Sequence, residues 1–166
     1  WGVGTKLATG YDEPALDGVY KLNAVREQDG RWAGRVKISD EPAKSSLPGL
    51  LQVRRFRDQR GFFADAICDE LSGAGHGCTI VDPEQPERRL QVPEGMSEED
   101  LLTATFLRGK RVLGPVSLDR VRARVQDQLA SLPSAVRRLG NPAPYQAGVE
   151  LSLYQRTQHM LRRNHP

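Results

Sequence analysis

The sequence has few cysteines, and this shortage excludes most cysteine chemistry. Its 166 residues contain two cysteines, Cys68 and Cys78. They are spaced more widely than in a CxxC knuckle, and two thiols cannot complete a four-cysteine zinc site. His76 lies two residues before Cys78 and keeps a metal site conceivable, but no further ligands are in view. We therefore predict no metal site and two reduced thiols in a cytosolic protein.

Aromatic residues and long apolar runs are also scarce. Aromatics make up 6% of the chain, too few for a base-stacking platform. No stretch approaches 18 consecutive apolar residues, and the first residues given do not show the charged-then-apolar layout that would predict a secretory signal. The 24 basic and 21 acidic residues are interleaved and leave a net charge of +3, without a polybasic tail. We predict a soluble, cytoplasmic protein without membrane or nucleic-acid partners.

Arginines in the C-terminal third allow a second interpretation. They could form a nucleic-acid interface, or they could be the solvated faces of amphipathic helices. The interspersed acids favour solvated faces. The arginines concerned are Arg120, Arg122, Arg124, Arg137, Arg138, Arg162 and Arg163.

The first two thirds of the chain are typical of β-structure. Short runs of β-branched and aromatic residues predict strands over residues 19–26, 35–38, 51–56, 62–68, 78–81, 90–92 and 102–107. Glycine turns after Asp29 and after Arg108 favour antiparallel hairpins. Phe56, Phe62 and Phe63 are candidate core residues.

After Pro115 the pattern becomes helical. A helix is predicted over residues 117–132, with Ser117 as its N-cap and apolar residues at helical spacing, namely Leu118, Val121, Val125, Leu129 and Leu132. Val121, Val125 and Leu129 are expected to be buried. A short helix is expected over residues 134–139, an extended connector over 141–145, and a last helix over about 150–163. That helix carries Leu153, Tyr154, Thr157 and Leu161 on one side. Strands first and helices last indicate the α+β class.

The opening stretch "WGVGTKLATG" contains a glycine pair followed by Thr5 and Lys6. Glycines at this spacing let the backbone approach a ligand and direct its N–H groups toward a phosphate. The motif alone is weak, because glycine pairs punctuate many turns. If Trp1 ends a strand, the loop occupies the position at which barrel enzymes hold phosphate.

Three longer stretches resemble the C-terminal part of the nicotinate phosphoribosyltransferase family. They are "WGVGTKLATGYDEPALDGVYKL", "RVKISDEPAKSSLPGLLQVRRF" and "SLDRVRARVQDQLASLPSAVRRLGNPAPYQAGVELSLY". The resemblance covers nearly the whole chain and implies the final segment of a longer enzyme. The missing N-terminal portion would be an irregular α/β barrel. It also implies that Gly2, Val3, Gly4 and Thr5 bind the 5-phosphate of phosphoribosyl pyrophosphate or of the mononucleotide product.

The family reaction joins nicotinate to phosphoribosyl pyrophosphate, with ATP hydrolysis through a phosphorylated histidine and with Mg²⁺ bridging the pyrophosphate. Nothing in this sequence matches that histidine. His76, His159 and His165 stand in unrelated contexts and are interpreted as surface residues. The resemblance thus implies no catalytic residue in this segment, Mg²⁺ and ATP bound mainly by the missing barrel portion, and a homodimer.

A second candidate site is a basic cluster of Lys37, Ser39 and Lys44, near the hydroxyls of Ser45 and Ser46. It could meet a polyphosphate, or it could be a solvated strand end. The resemblance favours the first interpretation, because the corresponding basic loop of related enzymes reaches toward the partner subunit's phosphates. Leu50 and Leu51 stand where relatives carry a basic pair, which weakens that expectation.

We expect three parts: the end of a barrel strand with its phosphate loop over residues 1–16, a β-rich segment over 17–113, and a helical segment over 114–166. Two functions remain open. The chain is the C-terminal part of an NAD-salvage enzyme that is inactive when isolated from the barrel, or it is a free-standing module that binds a phosphorylated metabolite.

Overall fold

The computed structural model describes Gly4 and residues 18–39, 45–72 and 78–164. A six-stranded sheet forms its centre. Its strands are β3 (Leu51–Asp58), β4 (Gly61–Asp69), β5 (Thr79–Val81), β6 (Arg89–Gln91), β7 (Ser97–Asp100) and β10 (Ala147–Glu150). Their spatial order is β6-β5-β10-β4-β3-β7. Two separate hairpins pair β1 (Ala24–Arg26) with β2 (Trp32–Gly34), and β8 (Phe106–Leu107) with β9 (Lys110–Arg111).

The β3–β4 hairpin is the longest pairing and carries a large part of the core. Alternate residues of β4 are buried, namely Phe62, Ala64, Ala66 and Cys68. Their neighbours on the other face, including Phe63, are half-buried. Phe56, Ala64 and Ala66 join Cys78, Ile80 and Val92 in one apolar cluster. The turns predicted after Asp29 and Arg108 do connect antiparallel hairpins, and Phe56 and Phe62 are buried as predicted. The strand predicted over residues 35–38 is wrong, because the strand that pairs with β1 ends at Gly34. Of the strand predicted over residues 102–107 only Phe106–Leu107 forms.

Strand β10 was not predicted, and it joins the two halves of the sheet. It pairs in parallel with β4, where Val149 lies opposite Ile67, and antiparallel with β5, where Val149 lies opposite Val81. At Gly148 an added Cβ would collide with the Val81 carbonyl oxygen. The sheet is therefore mixed, and the last quarter of the chain supplies a central strand.

Two α-helices are present among the described residues, α1 (Leu118–Ser131) and α2 (Leu151–Asn164), besides a single 3₁₀ turn over Glu70–Ser72. Ser117 caps α1 as predicted, since its hydroxyl accepts from the Arg120 N–H at 3.4 Å. Helix α2 packs on β5 and β10 through the predicted face, with Leu153 and Thr157 buried. The mixed α+β class is confirmed.

Two helical predictions are wrong. Residues 134–136 form a turn rather than the start of a helix over 134–139, because Pro133 ends α1 and only single-turn hydrogen bonds follow. The predicted apolar face of α1 is exposed, with no residue of the helix buried. Periodicity showed that the apolar face exists, but nothing in the described chain covers it.

Neither described α-helix has the length and apolar composition needed to cross a membrane.

Candidate functional site

Most of the predicted phosphate loop lies outside the described residues. Gly2, Val3 and Thr5 cannot be placed, and of the four residues only Gly4 is described. Gly4 is exposed, and none of the other described residues lies within 4 Å of the position where a Cβ would stand. The assignment of this loop to a phosphate remains a prediction.

The predicted basic cluster is partly visible. Lys37 is exposed and Ser39 is half-buried, whereas Lys44 lies outside the described residues. The Lys37 backbone is paired with Ser46: its N–H donates to the Ser46 hydroxyl at 2.7 Å, and its carbonyl accepts from the Ser46 N–H at 3.2 Å. Ser46 is 4% exposed. Its hydroxyl therefore orders the backbone that carries Lys37.

The buried carboxylate of Asp69 contacts residues 45–50, which we call the Ser45–Leu50 loop. One oxygen of Asp69 accepts from the Leu50 N–H at 3.0 Å. Gly49 has φ 118°, and a Cβ there would collide with this carboxylate. Only glycine combines that backbone angle with so close an approach.

The same carboxylate ties the loop to α2. Arg156 donates to Asp69 at 2.5 Å, to the Ser72 hydroxyl at 2.8 Å and to the Pro48 carbonyl at 3.4 Å. Asp69 is 3% exposed, whereas Arg156 remains 38% exposed. A buried carboxylate needs such a partner, because an unpaired charge is costly away from water. Arg156 and Asp69 therefore hold the Ser45–Leu50 loop, and with it Lys37, in one position. Sequence reasoning missed this pair, since the two residues lie far apart in the chain.

A cleft of about 630 Å³ opens between this loop and α2. Leu47, Ile67 and Val149 supply apolar lining, while Tyr154, Gln158 and Glu84 supply polar groups. Such a cleft can accept a small amphipathic group. Among its described lining residues no nucleophile is hydrogen-bonded to a base. That this segment carries no catalytic residue stays a prediction.

A second polar cluster joins the sheet to the C-terminal segment. Arg55 and Asp65 form a two-pronged ion pair, with N–O distances of 2.8 and 2.7 Å, and the Tyr145 hydroxyl donates to the same carboxylate at 2.9 Å. Burial and the bond to Asp65 raise the pKa of Tyr145 above its ordinary value. The hydrogen bond to Asp65 raises the pKa of Arg55. Arg55 also donates to Gln128 of α1 and lies over the Phe62 ring. Because its polar groups are bonded to other parts of the protein, we interpret the cluster as structural.

The sulfur and imidazole groups form no metal site in the described part of the chain. Cys68 and Cys78 are buried free thiols. Burial raises the pKa of Cys78 to about 11 and also raises that of Cys68. His159 is exposed, as predicted for a surface residue, while His76 and His165 lie outside the described residues. No group of three or more His, Cys, Asp or Glu side chains among the described residues could hold a metal ion.

Comparison with known proteins shows which family this domain resembles. Residues 52–157 match the family model of the nicotinate phosphoribosyltransferase C-terminal domain. A nicotinate phosphoribosyltransferase of Bacillus subtilis is 32% identical over 149 residues, which cover 87% of this chain and 30% of the relative. The human enzyme of that name is 31% identical over 149 residues, 87% of this chain and 26% of the relative.

A solved structure has the same fold. The crystal structure of human nicotinic acid phosphoribosyltransferase superposes with a TM-score of 0.57 and 23% identity, over 72% of this chain and 23% of that one. The chain thus spans less than one third of the length of these relatives.

Proposed function

This chain belongs to the nicotinate phosphoribosyltransferase family through its C-terminal domain, and we propose from this that it completes an enzyme that converts nicotinate and phosphoribosyl pyrophosphate to nicotinate mononucleotide. ATP hydrolysis would drive the reaction, and the product would enter NAD salvage. The observation that carries the proposal is the family match over residues 52–157. The names of the Bacillus subtilis and human relatives support it.

The proposed contribution of this domain is to bind phosphate rather than to perform the chemistry. Gly2, Val3, Gly4 and Thr5 would grip the 5-phosphate through backbone N–H groups and the Thr5 hydroxyl. Catalytic groups, Mg²⁺ and ATP are assigned to the N-terminal portion of a family-length chain. The described residues offer no cluster of side chains that fits a metal ion.

A second proposed contribution comes from the basic cluster in a homodimer. Lys37, Ser39 and Lys44 would reach toward the phosphates bound by the partner subunit. The contacts of the Lys37 backbone support this, since its two hydrogen bonds to Ser46 join it to the Ser45–Leu50 loop, which the Asp69–Arg156 ion pair contacts in turn. An ordered cation binds a polyphosphate at a smaller entropic cost than a mobile one.

A chimera tests the proposal. In it, this chain replaces the aligned region of the Bacillus subtilis relative, and folding is checked by thermal melting. We expect turnover of nicotinate, phosphoribosyl pyrophosphate and ATP to nicotinate mononucleotide. A folded chimera without turnover would reject the enzymatic role. If the 166-residue chain then bound phosphoribosyl pyrophosphate by itself in calorimetry, it would be a free-standing phosphometabolite-binding module.

A further inference from the structure

Residues 102–127 form a continuous stretch in which every side chain is exposed. The stretch includes the β8–β9 hairpin and most of α1. Single exposed apolar residues are normal, but a long series of them indicates a contact surface. The large apolar side chains in it are Leu102, Phe106, Leu107, Val112, Leu113, Val116, Leu118, Val121 and Val125.

On α1 these residues form one face, which we call the α1 stripe: Leu118, Val121, Val125 and Leu129. Their spacing of three or four residues aligns them along one side of the helix. Each is between 45% and 62% exposed. A helix in a folded protein normally buries this face, because its own propensity supplies little stability in water.

The contacts of α1 with the sheet lie in its last turn. Gln128 accepts from Arg55, and Ser131 accepts from Arg57 at 3.3 Å. A Cβ at Gly61 would collide with the Ser131 carbonyl, so the two backbones touch there. An isolated helix of 14 residues is marginal in water. The rest of α1 therefore needs a partner on its stripe.

The charge of the region argues against a second copy of this chain as that partner. Residues 106–129 contain six basic and two acidic side chains. Two copies meeting through this face would bring like charges together. The complementary partner has an apolar surface with an acidic rim.

The length of the relatives points to the partner. The whole stretch lies inside the range matched to a C-terminal domain, and more than two thirds of the Bacillus subtilis and human relatives lies outside the aligned region. We propose that the α1 stripe docks onto the N-terminal part of a nicotinate phosphoribosyltransferase chain, at an apolar surface with an acidic rim. The inference rests on family membership and not on the proposed reaction, so it is tested by binding rather than by turnover.

The test co-expresses this 166-residue chain with the Bacillus subtilis relative truncated before the aligned region, and measures the affinity of the purified pair. We expect Val125→Asp to weaken binding about 100-fold or more, since a central apolar contact becomes a charge. The matched control is Ala123→Asp, which adds the same charge to the opposite side of α1, and it should change affinity by no more than about threefold.

Equal affinities for the two variants would overturn the proposal. So would a concentration-dependent dimer of this chain that Val125→Asp abolishes, because the stripe would then meet a second copy. If the truncated relative does not fold, hydrogen exchange in the chimera and in the isolated chain tests the proposal instead. Amides of residues 118–127 should exchange about 100-fold more slowly in the chimera than in the isolated chain. Equal exchange in both would equally reject the proposal.

Discussion

At the scale of single residues, the proposed phosphate loop makes its strongest demand on Gly4 and Thr5. In the chimera, a side chain at Gly4 would fill the space where a phosphate approaches the backbone, so Gly4→Val should abolish measurable binding of phosphoribosyl pyrophosphate. Thr5→Val keeps the shape of the side chain but removes its hydroxyl donor, and we expect a loss of about 1–3 kcal/mol in the binding free energy of phosphoribosyl pyrophosphate. Titration of each substrate measures both effects.

Nicotinate affinity serves as the internal control for this pair, because its ring would sit away from the 5-phosphate. Thermal melting verifies that both variants fold. Unchanged affinity for phosphoribosyl pyrophosphate in a folded Gly4→Val chimera would remove the loop from the phosphate site.

The buried thiol of Cys78 gives a pH-dependent prediction at the same scale. Its pKa is raised to about 11, so at mildly alkaline pH it is almost entirely protonated, whereas an unfolded thiol with a pKa of about 8.5 is partly ionised. We expect Cys78 in a Cys68→Ser variant to react with a disulfide reagent about 100-fold more slowly in the folded chain than in guanidinium.

The raised pKa of Cys78 also makes the free energy of unfolding depend on pH. Between the unfolded and the folded pKa the unfolded state binds fewer protons, so the free energy of unfolding should fall as pH rises through that window. Rapid labelling of the folded Cys68→Ser chain would show that the thiol is accessible and that this account of its burial is wrong.

At the scale of elements, the Asp69–Arg156 ion pair joins α2 to the Ser45–Leu50 loop. Arg156→Met would leave a buried carboxylate without its cation, and we expect a loss of about 2–3 kcal/mol in the free energy of unfolding, less than for a fully buried pair because Arg156 is partly exposed. Urea denaturation measures it. The control Arg162→Met removes an exposed arginine of the same helix and should cost no more than about 0.5 kcal/mol.

A loss from Arg156→Met no larger than that of the control would show that the ion pair does not hold the loop. Hydrogen exchange at the Ser46 amide adds a local measurement, since this N–H bonds to the Lys37 carbonyl. It should exchange faster in Arg156→Met than in Arg162→Met.

The contact between α1 and the β3–β4 turn is tested by two glycines. Gly61 (φ 126°) and Gly95 (φ 80°) both have backbone angles unfavourable for a side chain, but only at Gly61 would a Cβ meet another element, the carbonyl of Ser131. Gly95→Ala should cost about 1–2 kcal/mol from backbone strain alone. Gly61→Ala should cost distinctly more, about 3 kcal/mol or above.

Chemical denaturation of both alanine variants gives the comparison. Both variants carry the backbone strain of an alanine at positive φ. The difference between their losses of unfolding free energy therefore measures the cost of the contact between a Cβ at residue 61 and the Ser131 carbonyl. Similar losses would mean that α1 does not rest against the turn as described.

At the scale of the whole molecule, the 166-residue chain should show no phosphoribosyl transfer when isolated. The described residues contain no nucleophile–base pair in the cleft beside α2, and the chain spans less than one third of its relatives. An assay with nicotinate, phosphoribosyl pyrophosphate and ATP checks this, with the active chimera as the positive control. Turnover by the isolated chain would place the chemistry within these residues.

The elements differ in how far local sequence could predict them. The β3–β4 hairpin was predictable, because alternation through Phe62, Ala64 and Ala66 is visible within a few residues. Strand β7 carries only exposed, mostly acidic side chains, so no apolar pattern marks it. Strand β10 is short, leads directly into α2, and forms only because β4 and β5 offer open edges on both sides.

The residues of the candidate site also differ in how far the sequence could predict them. Lys37 and Ser39 could be singled out from residue type and from the family resemblance. The carboxylate of Asp69 and the guanidinium of Arg156, which order the loop near Lys37, come from the end of β4 and the middle of α2. Their pairing depends on a distance in space that neither residue's neighbours in sequence indicate.

By itself the sequence determined the α+β class, the antiparallel hairpins, the buried face of α2 and the family, because these depend on turn residues, on short-range periodicity and on long matching motifs. Tertiary structure alone decided that β10 enters the sheet centre, that Ser46 supports the backbone of Lys37, and that the apolar face of α1 is exposed. The reason is physical. Periodicity specifies which face of an element is apolar, whereas burial requires a second surface, and that surface belongs to another part of the chain or to another chain.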